Sequence, residues 1–490
     1  MPAAEKTALW KRLLKKENAS PLLRNISFLF FPILLISASL LTGCSTYTQQ
    51  IQKANNYYYS GNIKQAKIEI LKKSAKKQKS RDALVWKLEE GAVFRTDGDL
   101  PASTKSFNEA DQIIRKYEES FADTRLGQET LATFSNPANI TYEGWTTDRI
   151  MISTYLALNE LFQGNIENAR VHFNKAYLRQ QDAVNKNARK IEQIQSSIAA
   201  NELSREATSN SNISKNLSSL YTPLNQLHPL ANYVNPFTSY VRGLFFLFYA
   251  ADASDLETAH KSLQQAYSLA NNNLFIGKDI QMSEQILEGL PAETNITYIL
   301  FESGRAPYLS EYTLNIPLPI NNAIYPVNIA FPIFTPSYSN NSLRVSTFSN
   351  TSQTDIIADM NDIFGTDFKS ELPTIIARTI AATAIRQAAN ITANQALKNT
   401  DSSVQLLSGL ALYIIQTSIN IADTRSWTLL PSNFQLCRIP TPIDGKITLR
   451  ETKGSQSVSI QLPNMGPYLI YVKSIGPNIK MTTWVHSLPK

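Results

Sequence analysis

The stretch that decides the fold is E160-L-F-Q-G-N-I-E-N-A-R-V-H-F-N-K-A176. Gly164 supplies a turn, Ile166 follows two residues later and Ala169 three after that. Phe173 and Ala176 come four and then three residues further on. Steps of four and three return to one face of an α-helix, so Ala169, Phe173 and Ala176 share a side. Small residues let a second helix come close and the large one fills the gap. The glycine permits the sharp turn from the preceding helix. The stretch therefore predicts an antiparallel helix pair.

Three further segments fall into the same frame. They are YYYSGNIKQAKIEIL (57–71), FRTDGDLPASTKSFNEA (94–110) and YAADASDLETAHKSLQQA (249–266). Their turn residues are Gly61, Gly98 and Ser254, and their small residues Ala66, Ser103 and Ala259. Their large residues are Ile70, Phe107 and Leu263; Ala110 and Ala266 close two copies, and Lys73 breaks the first. The pattern resembles helix B of the tetratricopeptide repeat (TPR), with Gly91 and Phe94 as remnants of helix A. The copies start 37, 66 and 90 residues apart, so insertions interrupt the array. One, 121–147, reads as a loop with aromatics. Another, 181–220, begins as a polar helix on the bundle surface, with Val184, Ile191, Ile194 and Ile198 near heptad spacing. Asn235 and Pro236 open an apolar helix, Pro in its first turn, that is buried on all sides.

Near Ala292 the character changes. ITYILFES (296–303), EYTLNIPLPI (311–320) and YPVNIAFPIF (325–334) read as strands. So do NFQLCRIPTP (433–442), KITLRET (446–452), SVSIQLP (457–463) and PYLIYVKS (467–474), with turn signals between them. Seven such runs suggest a β-sandwich. Two Ala- and Ile-rich helical runs, 366–398 and 402–425, interrupt the series as a hairpin. The expected fold class is α+β: a TPR-like helical domain over 44–290, then a sandwich-like domain over 291–490 with a helical insertion at 355–424.

The N-terminus reads as a lipoprotein signal peptide over 1–43. A basic start is followed by NISFLFFPILLISASLLTG (25–43), uncharged, and then by Cys44. Leu41-Thr42-Gly43-Cys44 resembles the bacterial lipobox. That resemblance implies a diacylglyceryl group on the Cys44 sulfur and an N-acyl chain on its amine, with no other cofactor. An uncleaved anchor is the competing reading. Ser45 follows where an Asp would signal inner-membrane retention, which favours the outer membrane facing the periplasm. Six of the 47 basic and two of the 40 acidic residues fall within 1–43. The mature chain keeps 41 and 38, a formal charge of about +3, which is no footprint for nucleic acid. Cys437 is then the one unmodified thiol, expected as a structural buried cysteine.

The search for chemistry is negative. His172, His228, His260 and His486 are scattered, and no zinc, phosphate-loop, dinucleotide or nucleophile-elbow motif occurs. Acidic pairs such as Glu89/Glu90 and Glu118/Glu119 read as solvated helix faces. Two polar-aromatic clusters remain as partner contacts, Arg305 with Tyr308 and Arg425 with Trp427, because Arg and Trp dominate binding hot spots. For Asp423 and Arg425 a structural tie to the sheet is the alternative.

The stretches NIENARVHFNKAYLRQ, NYVNPFTSYVRGLFF, FESGRAPYLSEYTLNIPLP, FKSELPTIIARTI and DTRSWTLLPSNFQLCRIP together resemble a family of bacterial lipoproteins with TPR-like helices. The resemblance implies the fold and the envelope location and adds no catalytic residue. The expected function is a membrane-anchored envelope scaffold, not an enzyme, binding a protein or peptide through its helices. A cell-wall glycan binder or hydrolase is one alternative. A homo-oligomeric subunit of an envelope machine is the other.

Overall fold

The computed structural model describes residues 46–122, 140–208, 217, 219–228, 230, 233–320, 323–397 and 421–489. Cys44, Ser45, the signal segment, most of the 121–147 loop and the run 401–420 lie outside the described residues. Tyr47–Lys490 forms one compact unit of mixed helix and sheet, an α+β chain. No helix of the described residues is long and apolar enough to cross a membrane.

The helices come first. They are α1 Tyr47–Tyr59, α2 Ile63–Lys77, α3 Ala83–Asp97, α4 Leu100–Ala122, α5 Thr146–Phe162, α6 Ile166–Ala199, α7 Glu202–Thr208, α8 Pro236–Phe248, α9 Ala253–Leu269 and α10 Leu274–Leu287. Successive members pack as hairpins: α1 on α2, α3 on α4, α5 on α6 and α8 on α9. Gly61, Gly98 and Gly164 take φ between +81° and +88° at the first three turns, a left-handed conformation that costs glycine little. The fourth turn has no glycine. There Asp252 caps α9 by accepting from the Asp255 N–H. At α8 the Asn235 side chain accepts from the Phe237 and Thr238 N–H groups, with Pro236 in the first turn.

The small–large–small face holds in all four pairs. Ala66, Ser103, Ala169 and Ala259, then Ile70, Phe107, Phe173 and Leu263, then Ala110, Ala176 and Ala266 are all 0% exposed. In the first copy Ser74, next to Lys73, takes the last buried place. In two pairs the partner helix receives the large residue on a glycine. A Cβ on Gly91 would stand 2.2 Å from the Phe107 ring, and one on Gly243 2.8 Å from Leu263 Cγ. Seven residues before the other two glycine turns stand Ala54 and Ala157, also buried.

The strands are β1 Ile296–Ser303, β2 Tyr308–Ile320, β3 Ala323–Thr335, β4 Leu343–Ser346, β5 Thr351–Gln353, β6 Asp355–Asp359, β7 Asn433–Pro440, β8 Lys446–Glu451, β9 Ser457–Gln461, β10 Tyr468–Ser474 and β11 Thr482–Ser487. All seven expected strands are present. Four short ones, β4, β5, β6 and β11, went unread. The order β11-β10-β1-β7-β6 makes a five-stranded sheet, β5-β4-β8-β9 a four-stranded one, and β2–β3 a separate ribbon. The expected helical insertion starts later than 355: β6 takes 355–359, and α11 runs Met360–Leu397.

The five-stranded sheet is the middle layer. Tyr298, Leu300, Phe434, Leu436, Leu469 and Tyr471 join the helices in one apolar core. Their neighbours Ile299, Phe301, Cys437, Ile439, Ile470 and Val472 join the four-stranded sheet in another. Side chains alternate across a strand, and both faces are covered, so β1 and β10 are buried along their whole length. The first core thus runs across residue 290 without a break. A third core joins the β2–β3 ribbon to α11 through Leu309, Ile316, Phe331, Phe334, Phe364 and Phe368. The far end of α6 leans on α11, with Ile194 and Ile198 against Ala381.

Candidate binding face of the helices

Residues 421–430, IADTRSWTLL, cross the helical layer with neither helix nor strand. This strap is buried from Thr424 to Leu430. It lies on α1, α3 and α5, the first helices of their pairs.

Glu89 on α3 is its clamp. Glu89 Oε1 accepts from the Thr428 N–H at 2.7 Å, the Thr428 hydroxyl at 2.8 Å and the Tyr47 hydroxyl at 2.7 Å; Oε2 accepts from the Leu429 N–H at 3.2 Å. Two successive backbone N–H groups are thereby captured by one carboxylate. Burial pushes the Glu89 carboxyl up to about 7, and these four donors pull the other way. On the other side of the strap, the Tyr59 hydroxyl donates to the Thr428 carbonyl at 2.7 Å.

Arg425 fixes the start of the strap. Its Nε donates to Asp423 Oδ1 at 2.7 Å and its Nη1 to Asp82 Oδ1 at 3.0 Å. The guanidinium lies over the Tyr142 ring, and the Arg425 carbonyl accepts from Trp145 Nε1 at 3.0 Å. Burial works against the charge, but the two aspartates hold Arg425 protonated above its ordinary range. Trp427 is 2% exposed and fills a slot where Phe107 and Tyr155 meet it edge-on at 5.5 and 5.7 Å.

The four sequence-predicted contacts are brought together by Tyr59. The exposed Arg305 stacks between the rings of Tyr59 and Tyr308, 4.9 Å from each. The Tyr59 hydroxyl reaches the strap that carries Arg425 and Trp427. Arg305 and Tyr308 face outward at least in part, whereas Arg425 and Trp427 touch the chain itself.

Glu89 corrects the sequence reading. It was expected on a solvated face and is wholly buried. The signal was there: Val85, Leu88, Ala92 and Val93 make a buried stripe at helical spacing, and Glu89 stands within it. Reading it as half of an acidic pair hid that position.

A second polar group lies in the seam between α3, α5 and the five-stranded sheet. Glu302 accepts from Lys473 Nζ at 2.8 Å and from the Tyr155 hydroxyl. The Arg95 guanidinium stands 4.7–5.0 Å from the rings of Tyr155, Tyr471 and Trp484. Burial would raise the Glu302 carboxyl, but Lys473 and Arg95 outweigh it and hold the group below the usual range. Burial also lowers Lys473, which Glu302 opposes. A third group centres on Asp279 of α10, which accepts from the Tyr240 and Tyr298 hydroxyls and pairs with Arg438 at 3.1 Å. Burial pushes Asp279 up to about 6 despite Arg438. Sequence gave no sign of these pairings, which join residues far apart in the chain.

Cys437 is buried, with its thiol pushed by burial to about 11. Among the described residues no group of three His, Cys, Asp or Glu side chains is placed to hold a metal. No protein-family model, characterised protein or solved structure matches the chain.

Proposed function

We propose that the protein is a lipid-anchored scaffold of a bacterial cell envelope that binds a protein or peptide partner through TPR-like helices. In this reading acyl chains on Cys44 hold it at the outer membrane, facing the periplasm. Two or more chains make such attachment stable, at about 0.8 kcal/mol per buried CH2. The four hairpins with their shared small–large–small face support the TPR-like reading. The two sheets joined through Ile299, Ile470 and Leu449 support the sandwich-like reading of the second half. The family resemblance points the same way.

The observation that carries the proposal is the strap. Helices α1, α3 and α5 already hold an irregular stretch of polypeptide by backbone capture at Glu89, a slot for Trp427 and, at the residue before α3, the Asp82 carboxylate that accepts from Arg425. A surface that grips peptide in this way is one suited to polypeptide ligands. Its own strap occupies that face, so the partner meets the outer helices, where Ile68 of α2 and Val171 and Leu178 of α6 are exposed.

Photo-crosslinking residues placed at Val171 and Leu178 in intact cells test this. One envelope protein recovered from both positions, and not from an exposed control such as Lys261, is the expected outcome. Recovery of abundant porins alone overturns the scaffold reading. Labelled palmitate that enters the wild-type chain and not Cys44→Ala supports the anchor; equal labelling of both removes it.

A further inference from the structure

The sheet edges are guarded unequally. An unpaired strand edge is a template for a second chain, and proteins blunt it with proline, charge, bulges or shortness. The β2–β3 ribbon carries Pro317, Pro319, Pro326 and Pro332, with Pro317 directly across from Pro326. Strand β6 has Asp355 and Asp359 at its ends and a bulge between Ile356 and Ala358. Strand β5 is three residues long. Two edges lack every one of these devices, β9 with Ser-Val-Ser-Ile-Gln and β11 with Thr-Thr-Trp-Val-His-Ser.

The ladders show which backbone groups are open. Leu462 N–H bonds the Gly445 carbonyl and Glu451 N–H the Gln456 carbonyl, which fixes the alternation between β8 and β9. Val458 and Ile460 then bond inward, and Ser457, Ser459 and Gln461 present their N–H and C=O groups outward. By the same count from Leu488 and Pro467, Thr483, Val485 and Ser487 of β11 face outward. The two edges lie on one side of the molecule. Strand β5 sits over β7, where Cys437 Sγ meets Ser352, and β8 over β10, where Ser474 bonds Glu451. The turn before β9 bonds Asn478, in the loop that leads to β11.

We infer that β9 pairs antiparallel with β9 of a second copy of this chain, about a twofold axis through Ser459, and joins the two four-stranded sheets into one of eight. In that register Ser459 faces Ser459 and Ser457 faces Gln461. Val458 then faces Ile460, and all the cross-strand pairs are uncharged, so the strand opposes itself with no charge repulsion. A five-residue edge alone is small beside the roughly 1,600 Å² of a standard interface. The β11 edge beside it, with Val485 exposed, widens the surface on the same side.

The full-length chain in detergent is the material for the test. Wild type sediments as a dimer and Ser459→Lys, with unchanged circular dichroism, as a monomer. Under mild oxidation Ser459→Cys gives a covalent dimer on a denaturing gel, because cross-strand neighbours come within disulfide reach. Ser457→Cys does not, since its opposite number is Gln461, and Cys437 is buried in every variant. A monomeric wild type overturns the proposal. So do equal crosslinking of both cysteine variants, or dissociation by Val485→Lys and not by Ser459→Lys, which would put the contact on β11.

Discussion

Two buried carboxylates set the strap clamp and the helix–sheet seam apart. Among the described residues Glu89 has no ion-pair partner; its donors are two backbone N–H groups and two hydroxyls. Glu302 has Lys473 and Arg95. Both are wholly buried, yet one is pushed up to about 7 and the other held low. At Glu89 the hydrogen bonds do not offset the loss of water around the charge, whereas at Glu302 the two cations do. The strap is therefore joined to the helices by a contact that responds to pH, and the sheet by one that stays ionised.

Removing the seam anion breaks the contrast most severely. Glu302→Gln leaves Lys473 and Arg95 buried without their counter-charge, and loss of one member of a buried pair costs about 3–5 kcal/mol. Urea denaturation of the variant reads that loss as a lower midpoint.

Glu89→Gln is the gentler counterpart. An amide oxygen in the Oε1 place still accepts from Thr428 and Tyr47, but the NH2 in the Oε2 place cannot accept from the Leu429 N–H, so the expected loss is about 1–2 kcal/mol. A loss as large as that of Glu302→Gln would show that Glu89 carries full charge in the folded state.

The pH profile sharpens the comparison. Glu89 at about 7 and Asp279 at about 6 lie above the ordinary carboxylate range, and burial also pushes Asp148 up to about 6. These groups keep protons in the folded state that the unfolded chain has lost. Stability is then highest near pH 4–5 and falls as pH rises to about 7, by up to about 1.4 kcal/mol per pH unit for each group in its window. Glu302 acts in the opposite sense, and its contribution is lost as pH falls below the ordinary glutamate range. Midpoints measured between pH 4 and 8 should decline toward neutrality, and Glu89→Gln should decline less steeply. An identical slope in the two proteins would remove Glu89 from the account.

The smallest expected effect is Tyr59→Phe, which deletes one hydroxyl bond to the Thr428 carbonyl and costs about 1 kcal/mol. Arg305 stacks on the ring and not on the hydroxyl, so a fluorescence or NMR probe of that stack should stay unchanged.

Local pattern was legible where one face repeats within one helix or strand. The spacing of Ala169, Phe173 and Ala176 announced its hairpin, and Asn235-Pro236 announced the start of α8. Strands β1 and β10 stood out because a sheet covered on both faces reads as a continuous apolar run. Strands β4 and β5 were missed because four and three residues are too few to carry a periodic signal, and β11 because its large apolar residues, Trp484 and Val485, are adjacent and do not alternate. Strand β6 was hidden by its terminal aspartates. At the candidate site the sequence marked Arg305, Tyr308, Arg425 and Trp427 by residue type but not their surroundings.

By itself the sequence determined the helix pairs, the seven main strands and the change of character near residue 292. Periodicity is a property of neighbours along the chain, and those elements follow from it. Only the tertiary structure decided that the strap lies on α1, α3 and α5, that Glu89 is buried while Glu90 is not, and that Glu302 meets Lys473 from 171 residues away. Those outcomes depend on which faces meet in space, and a carboxylate's charge depends on what the fold brings beside it.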